Sequence, residues 1–115
     1  MTNEPVARRY YDLVDAEAYD DLVGLFTEDV VYERPGQTVI EGRAALREFY
    51  EAGRPLSDGE HELHQVVVDS DTVAVRGTFR GRQDGETVEI GFADFHEFED
   101  GEIRRRYTFT DRDTV

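Results

Sequence analysis

The feature that most constrains this chain is a change of period about halfway along it. Three turn signals, Asp69-Ser70-Asp71, Asp84-Gly85 and Asp100-Gly101, separate runs at 61–68, 72–82, 86–98 and 102–109. These runs read as strands, and such short turns force antiparallel neighbours, so the spacing predicts a four-stranded meander. The longer runs exceed the usual length of about five or six residues, and long strands twist and curl.

The N-terminal half repeats differently. Asn3 is placed to cap a first helix and Pro5 suits its first turn. Val6, Tyr10, Leu13 and Val14 then recur at helical spacing, with Arg8, Arg9, Asp12 and Asp15 opposite them. A short second helix is expected with Leu22, Leu25 and Phe26 on its apolar side, then a brief β run over 30–33 ended by Pro35-Gly36. A third helix is expected over 43–52, burying Ala45, Leu46 and Phe49 and stopped by Gly53 and Pro55. Helices gathered ahead of an antiparallel sheet pack on one of its faces. The expectation is one α+β domain over 1–115, cone-shaped, with three N-terminal helices on a curved, mainly antiparallel sheet that encloses a cavity.

Composition narrows the partners. There are 27 acidic residues against 13 basic ones, a formal net charge of -14, and every basic residue is Arg. A field this negative repels phosphate backbones and anionic lipid surfaces, which argues against nucleic acid and membrane as partners. Abundant acid without Lys suits concentrated salt, where screening shortens the range of self-repulsion. Without Cys there are no disulfides, thiol nucleophiles or thiolate metal sites. No apolar run has the length of a membrane span, and the first residues lack the pattern of a secretory signal, so a cytoplasmic location is expected.

Two segments carry a family resemblance. Leu25-Phe26-Thr27-Glu28-Asp29-Val30-Val31-Tyr32-Glu33-Arg34-Pro35-Gly36, followed by the Gly42-Arg43-opened helix through Tyr50, resembles the SnoaL-like and ketosteroid-isomerase-like superfamily. Ala93-Asp94-Phe95-His96-Glu97-Phe98, leading into Asp100-Gly101, resembles its later strands. This is the fold first named for nuclear transport factor two, and it is shared by isomerases, cyclases, hydrolases and non-catalytic binders, so it does not fix function.

The resemblance places Tyr10 where ketosteroid isomerase has an oxyanion-hole tyrosine. It places Asp94 at the carboxylic acid that shares this role, kept protonated by an apolar site. Where that enzyme has its basic Asp, before the loop proline, this chain has Arg34. Limonene-epoxide-hydrolase-like enzymes use an Asp–Arg–Asp set. Against that pattern Asp94 matches one Asp, Phe92 stands at the arginine's place and Thr108 at the second Asp's.

The expected catalytic residues are therefore Tyr10, Asp94 and His96, the last sharing a strand face with Asp94. Tyr32, Glu33, Arg34, Phe49, Ile90, Phe92 and Tyr107 are the expected ligand-binding residues, with Glu33 or His96 moving a proton. The ligand class is a small apolar carbonyl compound, undergoing isomerisation or cyclisation; the alternatives are a non-catalytic binder and a scaffold domain. No metal or cofactor is called for. His61 and His64, three apart on a strand, face opposite sides and cannot share an ion. Arg104-Arg105-Arg106 divides between faces and is expected to pair with acids on neighbouring strands. Val66-Val67-Val68 is apolar on both faces, so the outer face is expected to be covered by a second copy, with Phe79 and Phe95 contributing.

Overall fold

A computed structural model describes residues 3–115. The elements, in chain order, are helices α1 (Glu4–Asp15) and α2 (Tyr19–Val23) and strands β1 (Phe26–Glu33) and β2 (Ile40–Glu41). Next come helix α3 (Arg43–Glu48), continued by a π-helical turn (Phe49–Gly53), and strands β3 (Leu56–Asp69), β4 (Thr72–Gln83), β5 (Glu86–Glu99) and β6 (Glu102–Thr110). One mixed sheet of six strands results, in the order β2-β1-β6-β5-β4-β3.

The meander β3–β6 is antiparallel throughout, and its turns explain why. Asp84-Gly85 and Asp100-Gly101 have positive φ at both residues, as a two-residue hairpin turn of the favoured hand requires. The early strand expected beside the meander is β1, which pairs in parallel with β6, and the sheet extends one strand further because β1 also pairs antiparallel with β2. Phe26, expected on a helix, opens β1, which is eight residues long rather than a brief run. Asn3 occupies the cap position of α1 without a side-chain capping bond.

The third helix also departs from expectation. After Glu48 it widens into a π turn, which brings the consecutive residues Phe49 and Tyr50 both into the core, while Ala45 is exposed. Helix α1 buries Ala7, Tyr10, Tyr11, Leu13 and Val14, a broad face rather than a narrow stripe. That breadth brings a second tyrosine inward beside Tyr10.

Candidate functional site

Strand alternation puts the polar side chains of the inner face in two cross-strand rows. One row runs Val75, Asp94, Thr108; the other runs Val73, His96, Arg106, Tyr32. Arg106 faces inward because the β5–β6 register shifts between Glu97 and Phe98, which resets the alternation after Ile103. The arginine run thus splits: Arg106 points to the interior, while Arg104 lies within ion-pairing distance of Asp29 and Glu99.

Asp94 is the centre of this arrangement. Arg106 Nη2 donates to Asp94 Oδ2 at 2.8 Å, Tyr11 Oη donates to the same oxygen at 2.7 Å, and Thr108 Oγ1 donates to Oδ1 at 2.7 Å. Thr108 Oγ1 in turn accepts from Arg106 Nη1 at 3.0 Å and from Tyr32 Oη at 2.7 Å. Tyr32 Oη accepts from Arg34 Nη1 at 2.5 Å. Every hydroxyl proton in the chain is used, so the direction of the network is fixed by counting donors. Because Tyr11 gives its proton to Asp94, His96 Nε2, 3.0 Å from Tyr11 Oη, must be the donor of that pair. His96 is then the Nε2–H tautomer, and its Nδ1 is buried with no partner.

Charge states follow. Burial alone would raise the pKa of Asp94, but the Arg106 guanidinium, helped by the Thr108 and Tyr11 hydroxyls, holds it below its ordinary 3.8. Burial, reinforced by Arg106, pushes His96 down to about 3. Burial raises Tyr10 and Tyr11 well above 10.0, and Tyr50 to about 12. At neutral pH the site therefore holds an ionised Asp94, a charged Arg106, a neutral His96 and neutral Tyr10, Tyr11 and Tyr50.

These states correct the sequence reading at several points. Asp94 is an ion-paired anion and cannot be the protonated donor of an oxyanion hole. Its tyrosine partner is Tyr11, not Tyr10; the Tyr10 hydroxyl bonds instead with that of Tyr50, and Arg106 lies 4.0 Å above the Tyr10 ring. His96 is fully buried behind Tyr11 and held neutral, so it is not poised to exchange protons with a ligand. Glu33 is exposed and Tyr107 is paired with it on the outer face, so neither faces the interior. Phe79, expected on the outer face, is buried inside. An arginine does lie beside Asp94, but it is Arg106 on the next strand and not a residue at position 92.

Tyr10, Tyr32, Arg34, Ile90, Phe92 and Asp94 do border one internal cavity, together with Arg106, Thr108 and Val115. Phe49 lies behind this wall, with Arg34 stacked 4.8 Å over its ring. The cavity measures only about 30 Å³, room for about one water. His61 stays on the inner wall, lining this cavity with its Nδ1 2.6 Å from Asp15 Oδ1, while His64 bonds Thr78 at 2.9 Å on the opposite face. Sequence reasoning missed Tyr11 and treated Arg106 only as one of a run. The signal for Tyr11 was its spacing, four residues after Ala7 and three before Val14.

Residues 7–106 match the model of the SnoaL-like domain family. This chain belongs to that family. The sequence matches no curated protein. Among solved structures, this SnoaL-like domain is similar to a proposed SnoaL-like polyketide cyclase from Jannaschia sp. CCS1, with 20% identity, 95% of this chain and 85% of that chain covered, and a TM-score of 0.84. It is similar to a proposed ketosteroid isomerase from Kribbella flavida DSM 17836, at 25% identity, 96% and 78% coverage and a TM-score of 0.80. It is also similar to SalBIII, an epoxide hydrolase/cyclase-like enzyme in pyran ring formation in the polyether salinomycin, at 25% identity, 94% and 89% coverage and a TM-score of 0.82.

Proposed function

We propose that this SnoaL-like domain binds a small, mainly apolar carbonyl compound in the Asp94–Arg106 chamber and polarises it for proton-transfer isomerisation or cyclisation. The observation that carries this reading is the buried pair itself. An ion pair surrounded by hydroxyls and aromatic rings is a costly way to fill a core, and a largely apolar pocket with a few convergent polar groups is what a ligand site needs. The solved neighbours named for polyketide cyclisation, ketosteroid isomerisation and pyran ring formation bring the same chemistries to this reading. In it, Asp94 accepts a proton as a carboxylate, and the guanidiniums of Arg106 and Arg34 offset charge developing on the carbonyl oxygen.

A second reading, a non-catalytic binder, draws support from Asp94. Three hydrogen bonds already engage its oxygens, and Arg106 keeps it a weak base. The same reading keeps a second copy of the chain as the cover for Phe95 and Phe109 on the outer face, and a salt-rich cytoplasm as the setting for its acidic surface.

One experiment separates the two. A panel of small cyclic ketones and enones is incubated in deuterated buffer and followed by NMR. Deuterium entering beside the carbonyl with wild type, and not with Asp94→Asn, is the result expected of the catalytic reading. Binding without exchange selects the binder, and no binding by any member of the panel contradicts both.

A further inference from the structure

The proton acceptors named so far are both encumbered. Asp94 is engaged by three hydrogen bonds and kept a weak base by Arg106, and His96 lies behind Tyr11. His61 also lines the chamber, and it differs from both. Its ring is walled by Tyr11, Phe79 and Phe92, with centroids 5.2, 5.0 and 5.4 Å away.

The local fold presents this side chain in one way. Asp15, the last residue of α1, holds His61 at two points: the main-chain N–H donates to Oδ2 at 2.8 Å, and Nδ1 lies 2.6 Å from Oδ1. A carboxylate only accepts, so Nδ1 carries the proton of the neutral ring and Nε2 keeps its lone pair. Among the described residues no hydrogen bond engages Nε2, the one ring nitrogen left for the chamber that His61 lines. His96 is the reverse, with Nε2–H given to Tyr11 and a bare Nδ1 buried. Strand β3 is also bulged just ahead of His61. The β3–β4 register shifts between Ser57 and Glu60, Asp58 has φ +51°, and a Cβ at Gly59 would lie 2.3 Å from the Phe79 ring. Such a bulge re-aims the side chains beside it. A histidine in a purely structural role has both nitrogens satisfied; one fixed by a carboxylate and bare toward a cavity has the geometry of a general base.

We propose that His61 is a second proton acceptor of the chamber, aligned by Asp15, and that it carries a proton between two carbons of the bound carbonyl compound. This rests on the catalytic reading and adds a base to it. The C–H bond beside the carbonyl breaks, its electron pair passes into the carbonyl as an enolate, and the proton bonds to Nε2. Asp15, still accepting from Nδ1–H, offsets the charge of the imidazolium, while Arg106 and Arg34 offset that of the enolate oxygen. Return of the proton from Nε2 to another carbon of the enolate completes an isomerisation with no further reactant. Asp15 also borders a hollow of about 190 Å³ that shares Arg54, Leu56 and Phe79 with the chamber, so a ligand larger than the chamber has room beyond those three side chains.

Two measurements test this. ¹⁵N-histidine NMR of the full chain at pH 8 should show His61 protonated at Nδ1 and bare at Nε2, the reverse of His96. A His61 that carries a proton on Nε2 overturns the proposal whatever the substrate. Deuterium incorporation into the small cyclic ketones and enones should fall about 100-fold or more in kcat for His61→Gln, with KM little changed, as loss of a general base implies. Asp15→Asn should lose about tenfold or more in kcat, and its His61 signal should move toward the Nε2–H form, a change that loss of packing alone would not produce. His64→Gln, on the opposite face, should match wild type. Wild-type rates in His61→Gln would overturn the proposal and leave the catalytic reading standing. No exchange by wild type would remove that reading and the role of His61 together. The wild-type spectrum and Asp15→Asn keep the test decisive even if His61→Gln fails to fold.

Discussion

Each face of the sheet carries a group of side chains out of the usual place, polar ones inside and aromatic ones outside. On β5, Asp94 is 2% exposed while Phe95 beside it is 41% exposed. On β6, Arg106 and Thr108 are buried while Phe109 is 56% exposed. The outer face carries its own cross-strand row, Val67, Ala74, Phe95, Tyr107 and Glu33, and the rings of Phe95 and Phe109 meet edge to face at 6.0 Å. A core needs none of this polarity, and a free surface needs none of these rings. The difference supports the proposals made for each face: a ligand on the inside and a second copy as cover on the outside.

The comparison breaks most visibly if the inner pair is cut. Arg106→Ala leaves Asp94 buried without its counter-ion and should cost about 3–5 kcal/mol in urea unfolding. The double variant Asp94→Leu/Arg106→Met should recover most of that loss. A cost for Arg106→Ala no larger than a surface substitution would mean the pair is solvated and the inner face is not a closed chamber.

Next comes pH. His96 is held down to about 3 from an ordinary 6.5, so the unfolded chain takes up a proton that the folded chain refuses. Its neutral form favours folding fully above about pH 6.5, and that contribution drains away as the pH falls toward 3. Asp94, lowered in the fold, adds its own loss only below its ordinary 3.8. Thermal melts between pH 7 and 4 should therefore fall more steeply for wild type than for His96→Gln. Equal slopes would place His96 in contact with water.

The smallest effect on folding belongs outside. Phe95→Ser with Phe109→Ser should change monomer stability by about 1 kcal/mol or less. If a second copy covers the outer face, the same substitutions shift sedimentation from dimer to monomer. An unchanged sedimentation profile would sharpen the contrast differently, leaving the exposed rings without a homomeric role.

Much of the scaffold was legible because turns and alternation are local. Two-residue turns announced the meander, and period two put Asp94 and His96 on one face. The β1–β6 pairing was hidden because a parallel partnership between distant segments leaves no turn to read. The site was less legible for the same reason. Arg106 faces inward through a bulge that no residue type marks, and Tyr11 reaches Asp94 only because α1 buries a wide face. The protonation of Asp94 was misjudged because its aromatic flanks are visible in sequence whereas its guanidinium partner is supplied by a neighbouring strand. Val115 could not have been placed at all, since its partner, Arg34, lies 81 positions away.

The ionised, arginine-paired state of Asp94 is what separates this chamber from an oxyanion hole built on a neutral acid. Selective ¹³C labelling of aspartate, with NMR titration of the buried Asp94 carboxyl resonance, reads that state directly. The signal should remain that of a carboxylate from pH 8 down to pH 4, with a midpoint below 3.8. A midpoint above about 6, in the range of a carboxyl kept neutral by burial, would contradict it.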